Sequence, residues 1–308
     1  MYNIYGNICI NERTPFMPTL FVVATPIGNL SDISPRALET LQNVSLIAAE
    51  DTSHTIKLLN HFEIKTHMIS YHKYNESERA SAIISKMLTE DIDVAIVTDA
   101  GTPCISDPGY DLIAAAREKG INVIGVPGAC AAVTALSISG FPVDRFAFYG
   151  FLERDKKDRL AQLKRIEANE VENIIIYESP FRIIDTLQSI NDALDCKVCI
   201  CNDLTKLHES TYSAHISDAL EYMKSNSNAE KGEYVIIIHK ESLPQDESKS
   251  NAVEVCPEAL IVNEMITNGI TAKEAVAKLK KETNYSKKEL FAASLRLKEL
   301  FCEDEDDE

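Results

Sequence analysis

No run of about eighteen consecutive apolar residues occurs in the sequence, so no segment reads as a membrane span. The opening stretch, MYNIYGNICINERTPFM, lacks the basic start and long apolar centre of a secretory leader, and a cytoplasmic location is the expectation. Glycine-rich phosphate loops are missing as well. No GxGxxG follows the first apolar run and neither GxxxxGKS nor GxxxxGKT occurs, which argues against nucleotide binding of the usual dinucleotide or P-loop kind. The eight cysteines are scattered, and only Cys196 and Cys199 have CxxC spacing. No second pair completes a zinc set, so no metal is expected and the thiols read as reduced groups in a buried strand.

The 308 residues, 45% hydrophobic, leave room for two domains and a small appendage. Apolar runs alternate with helical patterns through the first half. Strands are expected at Leu20–Ala24, Ser45–Ala49, Val94–Thr98 and Val123–Val126. Helices are expected from Pro35 with Ser34 as N-cap, around Ile56–Asn60, over Tyr110–Glu118 ending at Gly120, and over Ala129–Ser139. Near-continuous apolar strands between helices predict a parallel sheet covered on both faces. A second α/β unit follows Gly140-Phe141-Pro142, which reads as a hinge. Its pattern is FAFYG, a basic helix, NIIIYE, a helix over Phe181–Leu194, KVCIC, a helix near Ile216–Met223 and EYVIIIH. Residues 241–251 are polar and read as a linker. Three helical patterns end the chain, with Thr271 and Ser286 as natural N-caps. The segmentation is 18–140, 141–242, a helical module at 254–302 and an acidic tail at 303–308.

The net charge of −17 is unevenly spread. The final EDEDDE alone carries −6, whereas Arg154–Arg165 holds six basic and two acidic residues, and Lys273–Lys298 eight basic and three acidic. Each basic stretch is either a solvated helix face or a face for RNA. Arg154, Lys156, Lys157 and Arg159 are the candidates on the first; Arg36 and Arg182 are either phosphate contacts or surface ion pairs.

Three Pro/Gly turns, TPIGN, DAGTP and VPG, follow apolar strands, and ligands of open α/β sheets bind outside the carboxyl ends of strands. The order VATPIGNL, AAEDTSHT, HKYNE, VTDAGTPCISDPG, VPGACAAVTAL, GFL, YESPFR, DLTKLHE and KGEYVII resembles the ribosomal small-subunit methyltransferase I family, from about Leu20 to His239. The terminal helices are similar to the small helix-turn-helix-like module that ends many members. The sequence departs from the family pattern at Asn202-Asp203, where Arg-Glu is usual, and at Glu153, where Pro is usual. The resemblance implies two α/β domains of the tetrapyrrole methylase (class III methyltransferase) type, with S-adenosylmethionine in the cleft between them and two chains pairing as a homodimer. It implies a cytidine 2′-O-ribose methylation in 16S rRNA, on free RNA or on the small subunit. It also implies cofactor contacts from Pro26, Gly28, Asp99, Ala100, Gly101, Pro103, Ile105, Pro127, Gly128, Ala132, Tyr177, Leu204, Gly232 and Glu233. Two other readings stay open: a corrin-precursor-type methyltransferase of the same fold, disfavoured by TPIGN, and a non-catalytic RNA-binding assembly factor, disfavoured by intact DAGTP and VPG.

Methyl transfer from a sulfonium needs alignment of the nucleophile about 3 Å from the methyl carbon, and a ribose hydroxyl needs a proton acceptor. Candidates are Asp99, Glu50, Asp51 and His54. Asp99 is alternatively a turn-forming residue, and Glu50-Asp51 a helix-start acid pair. Glu178, ending an apolar run, and Lys206, just past another, are expected at strand ends facing the cleft.

Overall fold

The structure is a computed structural model that describes residues 17–240, 256–283 and 285–302. The readings for the first sixteen residues, the linker and the acidic tail lie outside these. The chain forms two compact units, 1–241 and 242–308. No helix among the described residues is long and apolar enough to cross a membrane.

The first unit contains two five-stranded sheets. Strands β1 (Thr19–Val23), β2 (Leu46–Ala49), β3 (Met68–Ser70), β4 (Val94–Val97) and β5 (Asn122–Val126) run parallel in the order β3-β2-β4-β1-β5. Helices α1 (Pro35–Asn43) and α2 (Thr52–His61) cover one face, packing on Val23, Ile47, Ala49, Ala95 and Val97. Helices α3 (Glu76–Glu90) and α4 (Tyr110–Glu118) cover the other, on Leu20, Leu46, Ala48, Val94 and Ile96. Consecutive strand residues thus feed opposite cores, as the pleat demands. The helix signals hold locally. The Ser34 hydroxyl accepts from the Ala37 N–H with Pro35 at the first position, and Gly120 follows α4 with φ +72°.

Helix α3 and strand β3 were not among the expected elements. Ala80, Ile83, Ile84 and Met87 form the buried stripe of α3, at the spacing that marks an amphipathic helix. Glu76, in its first turn, has a tertiary task. Its Oε1 accepts from the N–H groups of Gly109 (2.7 Å) and Asp111 (3.3 Å), so it caps α4, whose own N-cap is a glycine with no side chain.

The second sheet has the order β6-β7-β10-β8-β9, from β6 (Phe146–Phe151), β7 (Asn173–Glu178), β8 (Lys197–Asn202), β9 (Ser210–His215) and β10 (Tyr234–His239). It is mixed: β6 and β7 are parallel, while β10 runs antiparallel between β7 and β8. Strand β9, with its polar alternation STYSAH, is an edge strand the apolar-run criterion does not find. Helices α6 (Lys156–Glu167), α7 (Ile183–Ala193) and α8 (Ile216–Ser225) bury one face through Ile174, Ile176, Val198, Ile200, Ile236 and Ile238. The other face, Ile175, Cys199, Cys201, Val235 and Ile237, is covered by α5 (Ala131–Ile138). That helix precedes the hinge in sequence yet lies on the second sheet. The thiols of Cys199 and Cys201 are free and buried in this core and that of Cys196 in the opposite one, as expected.

The second unit packs α9 (Pro257–Asn268), α10 (Ala272–Glu282) and α11 (Lys287–Cys302) around Ile261, Ala275, Leu279, Leu290, Ala293 and Leu297. Thr271 and Glu274 form a reciprocal capping box on α10, and Ser286 and Glu289 exchange the same bonds before α11.

Glu76→Ala leaves the α4 start uncapped. Urea unfolding of the full chain is expected to show a loss of about 1–2 kcal/mol, with Glu76→Gln losing less because an acceptor oxygen remains.

Candidate functional site

Chain direction places the site. Strands β1 and β4 are neighbours in the sheet, yet β1 connects through α1 toward β2 while β4 connects through α4 toward β5, on opposite faces. The loops after them therefore part at a topological switch point, where open α/β sheets bind their ligands. Here the two loops are stitched. Thr25 and Gly101 exchange backbone hydrogen bonds of 2.9 and 3.0 Å, and the Thr25 hydroxyl donates to the Thr98 carbonyl. The loop after β5 joins them, its Ala129 carbonyl accepting from the Thr102 hydroxyl.

The second sheet brings matching ends to the same region. A Cβ on Gly28 would stand 2.5 Å from the Lys206 Cγ and 3.0 Å from the Thr205 hydroxyl, so the loops after β1 and β8 touch. A Cβ on Gly150 would meet the Ser106 hydroxyl, and the Ala132 N–H donates to the Tyr177 hydroxyl. Pro26, Gly28, Ala100, Gly101, Pro103, Ile105, Pro127 and Gly128 lie in the three loops of the first sheet. Tyr177, Leu204, Gly232 and Glu233 lie at the facing strand ends of the second, and Ala132 opens α5 between them. The glycines are also required by the protein's own loops. A Cβ on Gly128 would meet Ala24 and one on Gly232 would meet Asn202 and Asp203, while Gly101 sits at φ +83° in the Thr25 bridge. They let protein loops nest against one another.

Strain collects in the same loops. Six described non-glycine residues have positive φ, and four of them are Cys104, Ser106, Asp203 and Thr205. Each costs about 1 kcal/mol or more and persists because surrounding contacts hold it. Buried polar atoms are left without partners here too: the Thr205 hydroxyl and the Asn202 Oδ1. Orphaned acceptors and donors at converging strand ends are what a polar ligand satisfies.

Electrostatically, the first-sheet side is acidic. The Asp99 carboxylate accepts from the Asp51 N–H at 3.1 Å and lies 3.8 Å from the His54 ring, while the Asp99 N–H points to Glu50 at 3.4 Å. Burial, aided by Asp99 and Asp51, pushes the Glu50 carboxyl above its ordinary value. Asp107, not singled out in the sequence although it lies in the quoted SDPG block, is the most displaced. Burial first, then the charges of Glu50 and Asp99, push it up to about 7. Only the fold shows this, because Glu50 comes from the loop after β2 and joins Asp99 and Asp107 from the two ends of the loop after β4. A cationic ligand fits such a group of acids, which is what a sulfonium requires.

Three expected catalytic residues are engaged otherwise. Asp51 is the N-cap of α2, accepting from the Ser53 N–H and hydroxyl, and those bonds hold its carboxyl below the usual range. Glu178 shares the strand face of Ile174 and Ile176 and turns away from Tyr177 and α5. Its carboxylate is buried against the Thr186 hydroxyl (2.6 Å), the Ser179 N–H and Arg182. Burial disfavours the Lys206 charge, but Asp203 at 2.8 Å and Glu233 at 2.9 Å outweigh it and raise the ammonium above its ordinary pKa, so Lys206 holds these loops together as a cation.

Among the arginines, Arg159 is buried. Its guanidinium donates to the Ser189 hydroxyl and to the carbonyls of Glu153 and Arg154, which removes it from the RNA candidates. Arg36 donates to the Gly125 carbonyl, and Arg182 to the Leu152 and Glu153 carbonyls. Arg154, Lys156 and Lys157 remain exposed at the start of α6.

Asp107→Asn removes a carboxyl that the fold makes costly to ionise. Its ordinary pKa is 3.8 and its folded value about 7, so the charge destabilises the native state above that window and not below it. The variant is expected to gain stability progressively between pH 4 and 7 and to keep a constant gain above. A gain independent of pH in thermal unfolding contradicts the assignment.

Residues 19–220 match the family model of Tetrapyrrole (Corrin/Porphyrin) Methylases. The ribosomal RNA small subunit methyltransferase I of Escherichia coli O157:H7 is 46% identical over 76% of this chain and 84% of that one. The protein of that name from Synechocystis sp. is 41% identical over 91% and 99%. The diphthine synthase crystal structure shares the fold at TM-score 0.56 and 12% identity, covering 72% of this chain and 90% of that one. A uroporphyrin-III-C-methyltransferase from Thermus thermophilus does so at 0.51 and 15%, covering 72% and 94%. The chain thus belongs to the tetrapyrrole methylases and, within them, to the ribosomal RNA small subunit methyltransferase I family, with S-adenosylmethionine as its cofactor.

Proposed function

We propose that the protein methylates small-subunit ribosomal RNA, at the ribose 2′-hydroxyl of a cytidine in the decoding region of 16S rRNA, acting as a homodimer in the cytoplasm. The observation that carries the chemical part is the group of carboxylates at the switch point, Asp99 against the Asp51 N–H and Glu50, with burial and the Glu50 and Asp99 charges pushing Asp107 up to about 7. Family membership carries the substrate part.

The cofactor supplies an electrophilic methyl group on a sulfonium whose departing sulfur is neutral, so the reaction needs alignment and a proton acceptor but no metal. The loops tied by Thr25 and Gly101 form one wall of its site, and Tyr177, Leu204 and the Gly232–Glu233 backbone the other. Glu50 and Asp99 favour positive charge there. That charge in turn lowers the Asp107 pKa and leaves its carboxylate free to accept the ribose proton at neutral pH. Asp99, holding the Asp51 N–H, keeps the α2 start and the DAGTP loop together, so it positions more than it reacts.

Incubating the protein with labelled S-adenosylmethionine and small subunits lacking the modification, then digesting to nucleosides, is expected to yield 2′-O-methylcytidine. Label in a methylated base refutes the ribose assignment, and no label in RNA refutes the substrate. In single turnovers with saturating cofactor, Asp107→Asn is expected to slow methyl transfer about a hundredfold, the usual worth of a positioned base. A near-normal rate leaves water as the acceptor. Calorimetry in buffers of different ionisation enthalpy is expected to show proton release near pH 6.5 on binding the sulfonium cofactor and much less on binding its uncharged thioether product. Equal release by both contradicts the electrostatic role.

A further inference from the structure

Next to the cleft lies a recess of about 560 Å³ between the turn from β6 to α6 and the turn from β7 to α7. Its lining includes Phe151, Leu152, Glu153, Arg154, Ser179 and Arg182. Phe151 is 54% exposed although it ends a strand, and its ring meets Tyr177 edge-on, centroids 5.9 Å apart. Tyr177 is the residue whose hydroxyl receives the Ala132 N–H, so the recess opens beside the cleft. Phe181, 82% exposed, follows Ser179 on the same turn. Two large aromatic side chains left in solvent at adjacent strand ends are a cost without a partner.

The charge around the recess is selective. Arg182 and the buried Arg159 hold the 152–154 backbone through its carbonyls, which fixes the shape of the turn. Arg154 forms no ion pair among the described residues. A second concavity continues along α6 past Lys156, Lys157 and Lys164. Of the acids near the start of this path, Asp155 is consumed capping α6. In a chain of net charge −17, a rigid aromatic surface with free cations on one side suits a polyanion carrying flat rings. Single-stranded RNA has that chemistry.

We infer that this recess takes an unpaired ribonucleotide flanking the methylated one, its base stacked on Phe151, its phosphate against Arg154, and the strand continuing along α6. The inference rests on the reading of the protein as an RNA methyltransferase. Arg159 and Arg182 serve it as positioning residues. The Glu153 carboxylate at the rim suits a base that carries an amino group.

The test measures binding of a single-stranded oligocytidylate of about twelve residues by fluorescence anisotropy across salt concentrations, with cofactor affinity measured in parallel. Phe151→Leu is expected to weaken RNA binding about tenfold with an unchanged salt slope, and Phe151→Trp to restore it. Arg154→Gln is expected to reduce the salt slope by about one phosphate contact. Both variants keep the wild-type cofactor affinity, which shows that the fold is intact. Wild-type affinity for RNA in Phe151→Leu, or an unchanged slope in Arg154→Gln, overturns the recess proposal while leaving the RNA reading in place. A wild-type protein that binds no RNA overturns both. Loss of cofactor affinity together with RNA affinity in Phe151→Leu and Phe151→Trp alike overturns the stacking role, because a merely structural residue behaves so.

Discussion

The pair of hydrogen bonds between Thr25 and Gly101 governs the first unit. Two adjacent parallel strands send their chains off in opposite directions, and without a tie their loops would diverge and the crevice would open to water. The tie requires Gly101 at positive φ, a conformation an L side chain resists. Once the two loops are fixed, the carboxylates that follow β2 and β4 are fixed with them, and Asp107 is held between the bridge and the α4 cap. Glu76 supplies that cap from another helix, so a charged side chain outside the cleft decides where the Asp107 loop ends.

Stored strain and unfavourable charge are concentrated at the converging loops of the first unit. Cys104, Ser106, Asp203 and Thr205 are twisted backbones, Glu50 and Asp107 are carboxyls that the fold resists ionising, and Thr205 and Asn202 hold buried polar atoms without partners. Much of the rest of the described structure is satisfied locally. Its sheets alternate faces cleanly, its helices are capped by Ser34, Asp51, Asp155 and Thr271, and the buried Glu178 is satisfied by Thr186, Ser179 and Arg182. A site that binds a cation can hold acids at high pKa because the ligand relieves the repulsion that the empty fold carries.

The arginines show how residue type alone misleads. Arg154 and Arg159 are five residues apart in one basic stretch, and charge counting treats them alike. One is free in solvent and the other is buried, spending its guanidinium on two carbonyls and a hydroxyl. Helical spacing separates them: Arg159 shares the buried stripe of α6 with Leu163 and Ile166. The same spacing reveals α3, whereas β9 has no apolar signal to find.

The sequence by itself determined the parallel first sheet, most of the strands and helices, the caps at Ser34 and Thr271, and the loops that converge on the cleft. These follow from local rules: hydrophobic period, Pro and Gly at turns, and hydroxyls at helix starts. Tertiary structure alone decided the antiparallel insertion of β10 between β7 and β8, the placement of α5 on the second sheet, and which acids act together. Asp51 and Glu178 look like Asp99 in sequence, each an acid at a strand end. The pleat turns Glu178 to the far face, and the helix start claims Asp51. Asp107 resembles a turn residue until the fold buries it and brings Glu50 from the end of β2 against it, beside Asp99 of its own loop. Its pKa is raised first by burial and then by Glu50, more than fifty residues earlier, and Asp99, eight residues earlier, and no local pattern encodes that sum.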